Sequence, residues 1–396
     1  MNRSTKAVNR IGYKMTRTVF LKSAQCLATF FIVAMVSQAA SRTLQVGPGA
    51  QYKMPCQAFM DAQDGDIIEI EAAGNYDGDV CRISANNLTI RGVRGRAKID
   101  AAGRDKEGKA IWVIGGNNTL VENIEMSGCR VPHKNGAGIR QEGVNLTVRN
   151  CYFHDNENGI LSGVSPESEI LIENSEFARN GYGDGQSHNF YIGNIKKFTL
   201  RYCYSHESIG GQLVKSRAVE NYILYNRLSD EKGSNYELDL PNGGIAFVIG
   251  NIFQQSPTTT NGGILAFGAE GPAPNSKLVV VNNTFVNDRH TGVFVQVHKM
   301  VTKPSLIINN IFYGPGQVCS QENAIMLTNL IGSDPKFLDR EQLNYRLSNN
   351  SPCIDMGTDL AKLGMGAIAP KYEYVHPCKM KPRAVAGAID IGAYEK

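Results

Sequence analysis

The chain has 396 residues, 20% of them charged, with 41 glycines and a formal net charge of +4. Six basic residues (Arg3, Lys6, Arg10, Lys14, Arg17, Lys22) and no acid fall within the first 25 positions; without these six, 35 basic residues face 37 acidic ones. The body of the protein is therefore not basic, which removes nucleic acid, a partner that asks for a pronounced positive field, from the candidates.

Those six residues are followed by an apolar run at 26–36 and by Ser37-Gln38-Ala39. A basic stretch, a short apolar stretch and small residues form the pattern of a secretory leader, and the apolar run is too short to span a bilayer comfortably. Residues 1–39 are expected to be a signal peptide cut after Ala39. This makes the protein secreted or periplasmic, with no membrane span after cleavage.

Removal of Cys26 leaves eight of the nine cysteines, an even number that permits disulfides in an exported chain. The expected pairs are Cys56 with Cys81 and Cys353 with Cys378, each closing a terminal segment. No CxxC or Cys/His spacing suggests zinc, and no metal or other cofactor is expected. Residues 40–80 read as an N-terminal cap with the first strands. Within them Met54-Pro55-Cys56-Gln57-Ala58-Phe59 reads as a short amphipathic helix, and Asp66-Ile67-Ile68-Glu69-Ile70 opens the strands.

From there to about residue 320 one string recurs: two apolar or β-branched positions, an Asn-rich pair, any residue, then an apolar one. Copies include Val121-Glu122-Asn123-Ile124-Glu125-Met126, Val148-Arg149-Asn150-Cys151-Tyr152-Phe153 and Ile307-Ile308-Asn309-Asn310-Ile311-Phe312. The third position advances by 27, 24, 28, 23, 25, 32 and 27 residues from Asn123 to Asn309, the length of one solenoid turn. Each copy alternates with period two, as strands do and helices do not. Between copies lie further strand signals such as Gly138-Ile139-Arg140, Phe190-Tyr191-Ile192, Leu213-Val214 and Glu237-Leu238-Asp239.

Asn226, Asn251, Asn283 and Asn310 fall in one column, expected to be a stacked ladder at a turn where Asn accepts the left-handed conformation. Cys151 and Cys203 share a repeat column too, and there free cysteine behaves as a small buried hydrophobe. The fold class is all-β: a parallel β-helix solenoid over 81–320, with the cap before it and a non-repeating C-terminal tail at 321–396.

The tail carries Ser351-Pro352-Cys353-Ile354-Asp355-Met356-Gly357 and Ile389-Asp390-Ile391-Gly392-Ala393-Tyr394-Glu395. Together with the repeats, these strings resemble the pectate-lyase-like superfamily of right-handed parallel β-helix proteins over nearly the whole body of the chain. The resemblance implies the fold, and a function only in outline, because the superfamily includes lyases, hydrolases, epimerases, adhesins and tailspikes.

Polar chemistry is densest where three successive coils bring His188, Lys215, Arg217, Glu237 and Asp239 near one another. Eliminative cleavage of a uronic-acid polymer requires a cation for the sugar carboxylate, a base for the C5 proton and a donor to the leaving oxygen. Lys215, Arg217 and His188 are the candidate catalytic residues. Arg217 would hold the carboxylate, Lys215 or His188 would take the proton, and a second His or Tyr191 would return one. Asn189, Tyr191, His206, Gln212, Glu237 and Asp239 are candidate substrate-binding residues.

Lys215-Ser216 also resembles the lysine-bearing coil of the chondroitinase-B and alginate-lyase type, which implies that the lysine is the base. That family has two calcium-binding glutamates shortly before the lysine; Ser208 and Gly210 stand there in this chain, so calcium is not carried over. The expected partner is an acidic polysaccharide. The alternatives are a binding protein that does not cleave its glycan and a glycoside hydrolase using Glu237 and Asp239 as paired carboxylates. Oligomeric state is left open.

Overall fold

The computed structural model describes residues 41–396. The expected signal peptide, its cleavage after Ala39 and Cys26 lie outside the described residues. Among those described, no helix is long and apolar enough to cross a membrane.

Three parallel sheets run the length of a solenoid. The first has twelve strands, from Thr43–Val46 to Ile325–Leu327. The second has ten, from Cys81–Ile83 to Gln317–Cys319, and the third also has ten, from Ala97–Asp100 to Leu330–Ile331. Each complete coil contributes one strand to each sheet, so residues about two dozen apart in sequence become neighbours at the parallel-strand spacing of about 4.8 Å. In the first sheet the inward column reads Ile68, Ile90, Val121, Val148, Ile172, Leu200, Ile223, Val248, Val280 and Ile307. All ten are fully buried, and each such side chain contributes about 1.5–3 kcal/mol. The third sheet stacks Phe153 on Phe177 at 4.8 Å and Phe253 on Phe285 at 4.5 Å.

The corner between the first and third sheets explains the repeat. The residue in the third position of each copy has positive φ: Asn123, Asn150, Asn174, Tyr202, Tyr225, Gly250, Asn282 and Asn309 lie between +49° and +67°. A single left-handed residue turns one strand into the next, and Asn and Gly tolerate it best. The expected ladder is present, but one position after this residue, so its members do not carry the left-handed conformation themselves.

In each rung of the ladder the backbone N–H donates to the next side chain: Asn226 to Asn251, Asn251 to Asn283 and Asn283 to Asn310, each at 2.9 Å. Asn329 extends the ladder by one rung. Cys151 and Cys203 occupy the same column, fully buried, with Cys203 donating its N–H to Asn226 Oδ1.

At the first end, the helix Pro55–Asp61 lies across the stack, with Phe59 edge-on to Trp112 at 5.2 Å. A disulfide between Cys56 and Cys81 ties it down, as expected. The second expected disulfide is absent. Cys353 packs with Ile311, Leu347 and Ile391, whereas Cys378 packs beside Tyr204 and Tyr374, and both are free thiols. The tail forms two antiparallel hairpins, Phe337–Asp339 with Asn344–Leu347 and Tyr372–Val375 with Lys379–Pro382. It lies back along the outside of the coils. Corner side chains hold it there: Asn174 donates to Cys378 O, Asn282 to Asp390 O and Asn309 to Thr358 O.

Candidate functional site

The second sheet brings four of the nine expected site residues, Tyr191, Lys215, Arg217 and Asp239, together on its outer face. Its strands are Asn158–Ser162, Phe190–Ile192, Lys215–Ser216 and Leu238–Leu240 in successive coils. Their register aligns Leu161, Tyr191, Lys215 and Asp239 in one column. Leu213-Val214, expected to be the strand of the third of these coils, instead forms a buried approach to it, with Leu213 donating its N–H to Tyr236 O. The strand begins at Lys215, which faces outward although simple alternation from Leu213 would send it into the core.

Lys215 Nζ lies 3.3 Å from Asp239 Oδ2 and 3.2 Å from Glu270 Oε1. The guanidinium of Arg217 makes three bonds: to Glu270 Oε2 at 2.5 Å, to the Tyr191 hydroxyl at 2.9 Å and to Asn242 Oδ1 at 2.7 Å. It also sits 5.8 Å from the Tyr191 ring centre. Two cations thus share one carboxylate, and that carboxylate side chain is 48% exposed while those of Lys215 and Asp239 are 12% and 6% exposed. Burial pushes the Asp239 carboxyl above its ordinary value, with Lys215 offsetting only part of the rise. Burial also pushes Glu270 upward, but the bonds from Arg217 and Lys215 outweigh it and leave the group below its ordinary value.

Asn242 and Glu270 were not among the residues singled out from sequence. Glu270 comes from the loop between Gly263–Phe267 and Lys277–Val281, which is anchored by its own N–H to Pro241 O. That loop belongs to the 32-residue advance, the longest of the series, and an enlarged coil was the one available signal.

The other expected residues divide into those behind the site and those away from it. His188 is buried; its N–H donates to Asn158 Oδ1 and its Nδ1 accepts from the Gln212 N–H at 3.1 Å. It serves as a rung between coils. Burial, helped by the charge of Lys215, pushes its pKa down to about 3. Gln212 is likewise enclosed, and its Nε2 reaches Asp239 Oδ2 at 3.4 Å.

Asn189 is fully buried and its amide is spent inside, donating to Phe177 O, Ser205 Oγ and His206 O and accepting from Asn180. His206 belongs to Tyr204–His206 of the third sheet, where it stacks on Tyr204 and meets Glu176 and Glu207. Glu237 is fully buried near Gln255 and its carboxyl is pushed up by burial and by Asp230. Glu237 and Asp239 have separate partners, Gln255 for the first and Lys215 with Gln212 for the second.

His188 has a consequence for stability that can be measured. The unfolded chain takes up a proton as pH falls below about 6.5, while the folded protein refuses it until about 3. Stability is therefore complete above about 6.5 and declines as pH falls through that window. A His188→Asn variant, whose Oδ1 can replace the Nδ1 acceptor, is expected to flatten this decline by on the order of 4 kcal/mol. Thermal melts between pH 7 and 4 check it, and parallel acid limbs in the two proteins would refute it.

Residues 58–205 match a family model described as the right handed beta helix region. Among the curated proteins none matches the chain. Among solved structures, a pectate lyase, Pel9A, is similar at 15% identity, covering 90% of this chain and 97% of its own, with a TM-score of 0.47. A pectin methylesterase from Aspergillus niger is similar at 12% identity, covering 83% of this chain and 95% of its own, with a TM-score of 0.35. A pectin methylesterase in complex with hexasaccharide VII is similar at 12% identity, covering 73% and 94%, with a TM-score of 0.28. The three parallel sheets make the chain a parallel β-helix, and the matched residues are those of the right-handed form.

Proposed function

We propose that this right-handed parallel β-helix is an exported protein that binds an acidic, uronate-containing polysaccharide along the outer face of its second sheet and cleaves it by β-elimination. The observation that carries the reading is the sharing of the Glu270 carboxylate by Lys215 and Arg217. A half-exposed carboxylate from a loop occupies the place where a sugar carboxylate would be received, and exchanging one for the other keeps the charge of the cluster unchanged.

With the sugar carboxylate on Arg217, its negative charge is neutralised and the C5 proton becomes easier to remove. Departure of Glu270 also takes one of two carboxylates away from Lys215, which gives up its own proton to water and then, as the free amine, takes the C5 proton. The Tyr191 hydroxyl, held by Arg217, returns a proton to the departing glycosidic oxygen. The C5–H and C4–O bonds break, and a C4–C5 double bond forms.

Incubating the purified protein with alginate, pectate and glycosaminoglycans tests this. An ultraviolet absorbance from unsaturated uronate is expected on at least one polymer. New reducing ends without unsaturation would overturn elimination in favour of hydrolysis.

A second reading, binding without cleavage, is favoured by one observation: both cations are already matched by carboxylates and His188 is enclosed. Retarded migration of the protein in a polyuronate-containing gel, with no unsaturation or new reducing ends on any polymer, would select it. Both readings make Glu270 an internal competitor. Glu270→Gln is therefore expected to tighten polyuronate binding several-fold in titration calorimetry, and unchanged or weaker binding would count against the exchange.

A further inference from the structure

The column that holds Lys215 continues toward the N-terminal end of the solenoid as Tyr191, Leu161, Arg140, Val113 and Arg82. At its far end, Arg82 is bound by Glu107 and Glu142, and Glu142 spends its second oxygen on Lys109. At its near end, Lys215 and Arg217 are bound by Asp239 and Glu270.

Arg140, between them, differs. It makes no ion pair or side-chain hydrogen bond among the described residues, and its Nε is buried without a partner. Its neighbours in register are Val113 and Leu161, which pack together with Ala110 and Ala137 in a small apolar patch on the outside of the sheet. The Nε of this half-buried guanidinium, set between apolar side chains, has lost water without gaining a partner, a state that an incoming anion relieves.

We propose that Arg140 is a second carboxylate-binding point for the acidic polysaccharide, three strands along the face from Lys215, so that the chain lies across the strands and parallel to the solenoid axis. This rests on the reading of Lys215 and Arg217 as the first such point. Three strand spacings are about 14 Å, so the ligand must be a polymer with carboxylates at both ends of that span. Sugar faces would rest on Leu161 and on the ring of Tyr191, between the two charged points. A neutral or fully esterified polymer gains nothing at Arg140.

A length series of unbranched oligouronates, from the monomer upward, titrated into the full chain tests this. With the wild type, affinity is expected to rise by about tenfold when the oligomer first spans both points. In Arg140→Gln that step is expected to disappear, and in Arg140→Lys, which keeps the charge, to return in part. Thermal melts of both variants confirm that they are folded. If Arg140→Gln keeps the step, or weakens every length alike, Arg140 is not a separate point, while the reading of Lys215 and Arg217 stands. If the wild type binds no oligouronate of any length, both fall together.

Discussion

Lys215→Ala is expected to lower turnover on the cleaved polyuronate by about 10²- to 10⁴-fold, the usual worth of a positioned proton-transfer group. The substitution also leaves Asp239, a 6%-exposed carboxylate side chain, without its cation, so part of any loss could come from local rearrangement. Lys215→Arg separates the two effects. Arginine keeps the charge opposite Asp239 and Glu270 but is not deprotonated in proteins and cannot act as a base. The expected result is that Lys215→Arg keeps most of the affinity and loses the rate, so that kcat falls while KM changes little. Retention of wild-type kcat by Lys215→Arg would remove lysine from the role of base and leave it a binding group.

Asn251→Ala is expected to destabilise the solenoid by roughly 3–5 kcal/mol, because it orphans several buried groups at once. The Oδ1 of Asn251 accepts from both the N–H and the Nδ2 of Asn226, and its Nδ2 donates to Ile223 O and to Asn283 Oδ1. All of these lie where water does not reach, so none regains a partner after truncation. Chemical denaturation followed by circular dichroism measures the effect. A cost below about 1 kcal/mol would mean that the column is ornamental and that neighbouring rungs close over the gap.

The fold was legible because its constraint is local and repeated. One left-handed residue per coil, Asn or Gly in six of the eight copies and Tyr in two, sets the spacing, and the inward apolar columns follow from period-two alternation on either side of it. The site was less legible because it depends on where individual strands begin. Leu213 and Val214 carry the apolar signature of a strand, yet pairing starts at Lys215, and only that shift sends the lysine outward.

Glu270 lies 55 residues from Lys215 in a loop with no periodicity, so no pattern could have joined them. His188 and Asn189 offered the right chemistry for catalysis and binding. They are used instead as rungs between coils, a role that depends on the direction of their side chains and not on their type. Cys353 and Cys378 were expected to pair because the bond would close the terminal segment, but Cys353 packs with Ile311, Leu347 and Ile391, while Cys378 packs beside Tyr204 and Tyr374.

The corner asparagines that grip the tail bear on how the molecule comes apart. A stack in which every coil touches only its neighbours would fray rung by rung from its uncovered end. Here the polypeptide beyond the last coil meets Asn309 at Thr358, reaches Asn174, five coils away, at Cys378, and turns back to Asn282 at Asp390. The terminal coils are thereby splinted to the middle of the molecule, and they cannot peel off without releasing the splint along its whole length, so that melting at this end becomes a single concerted event.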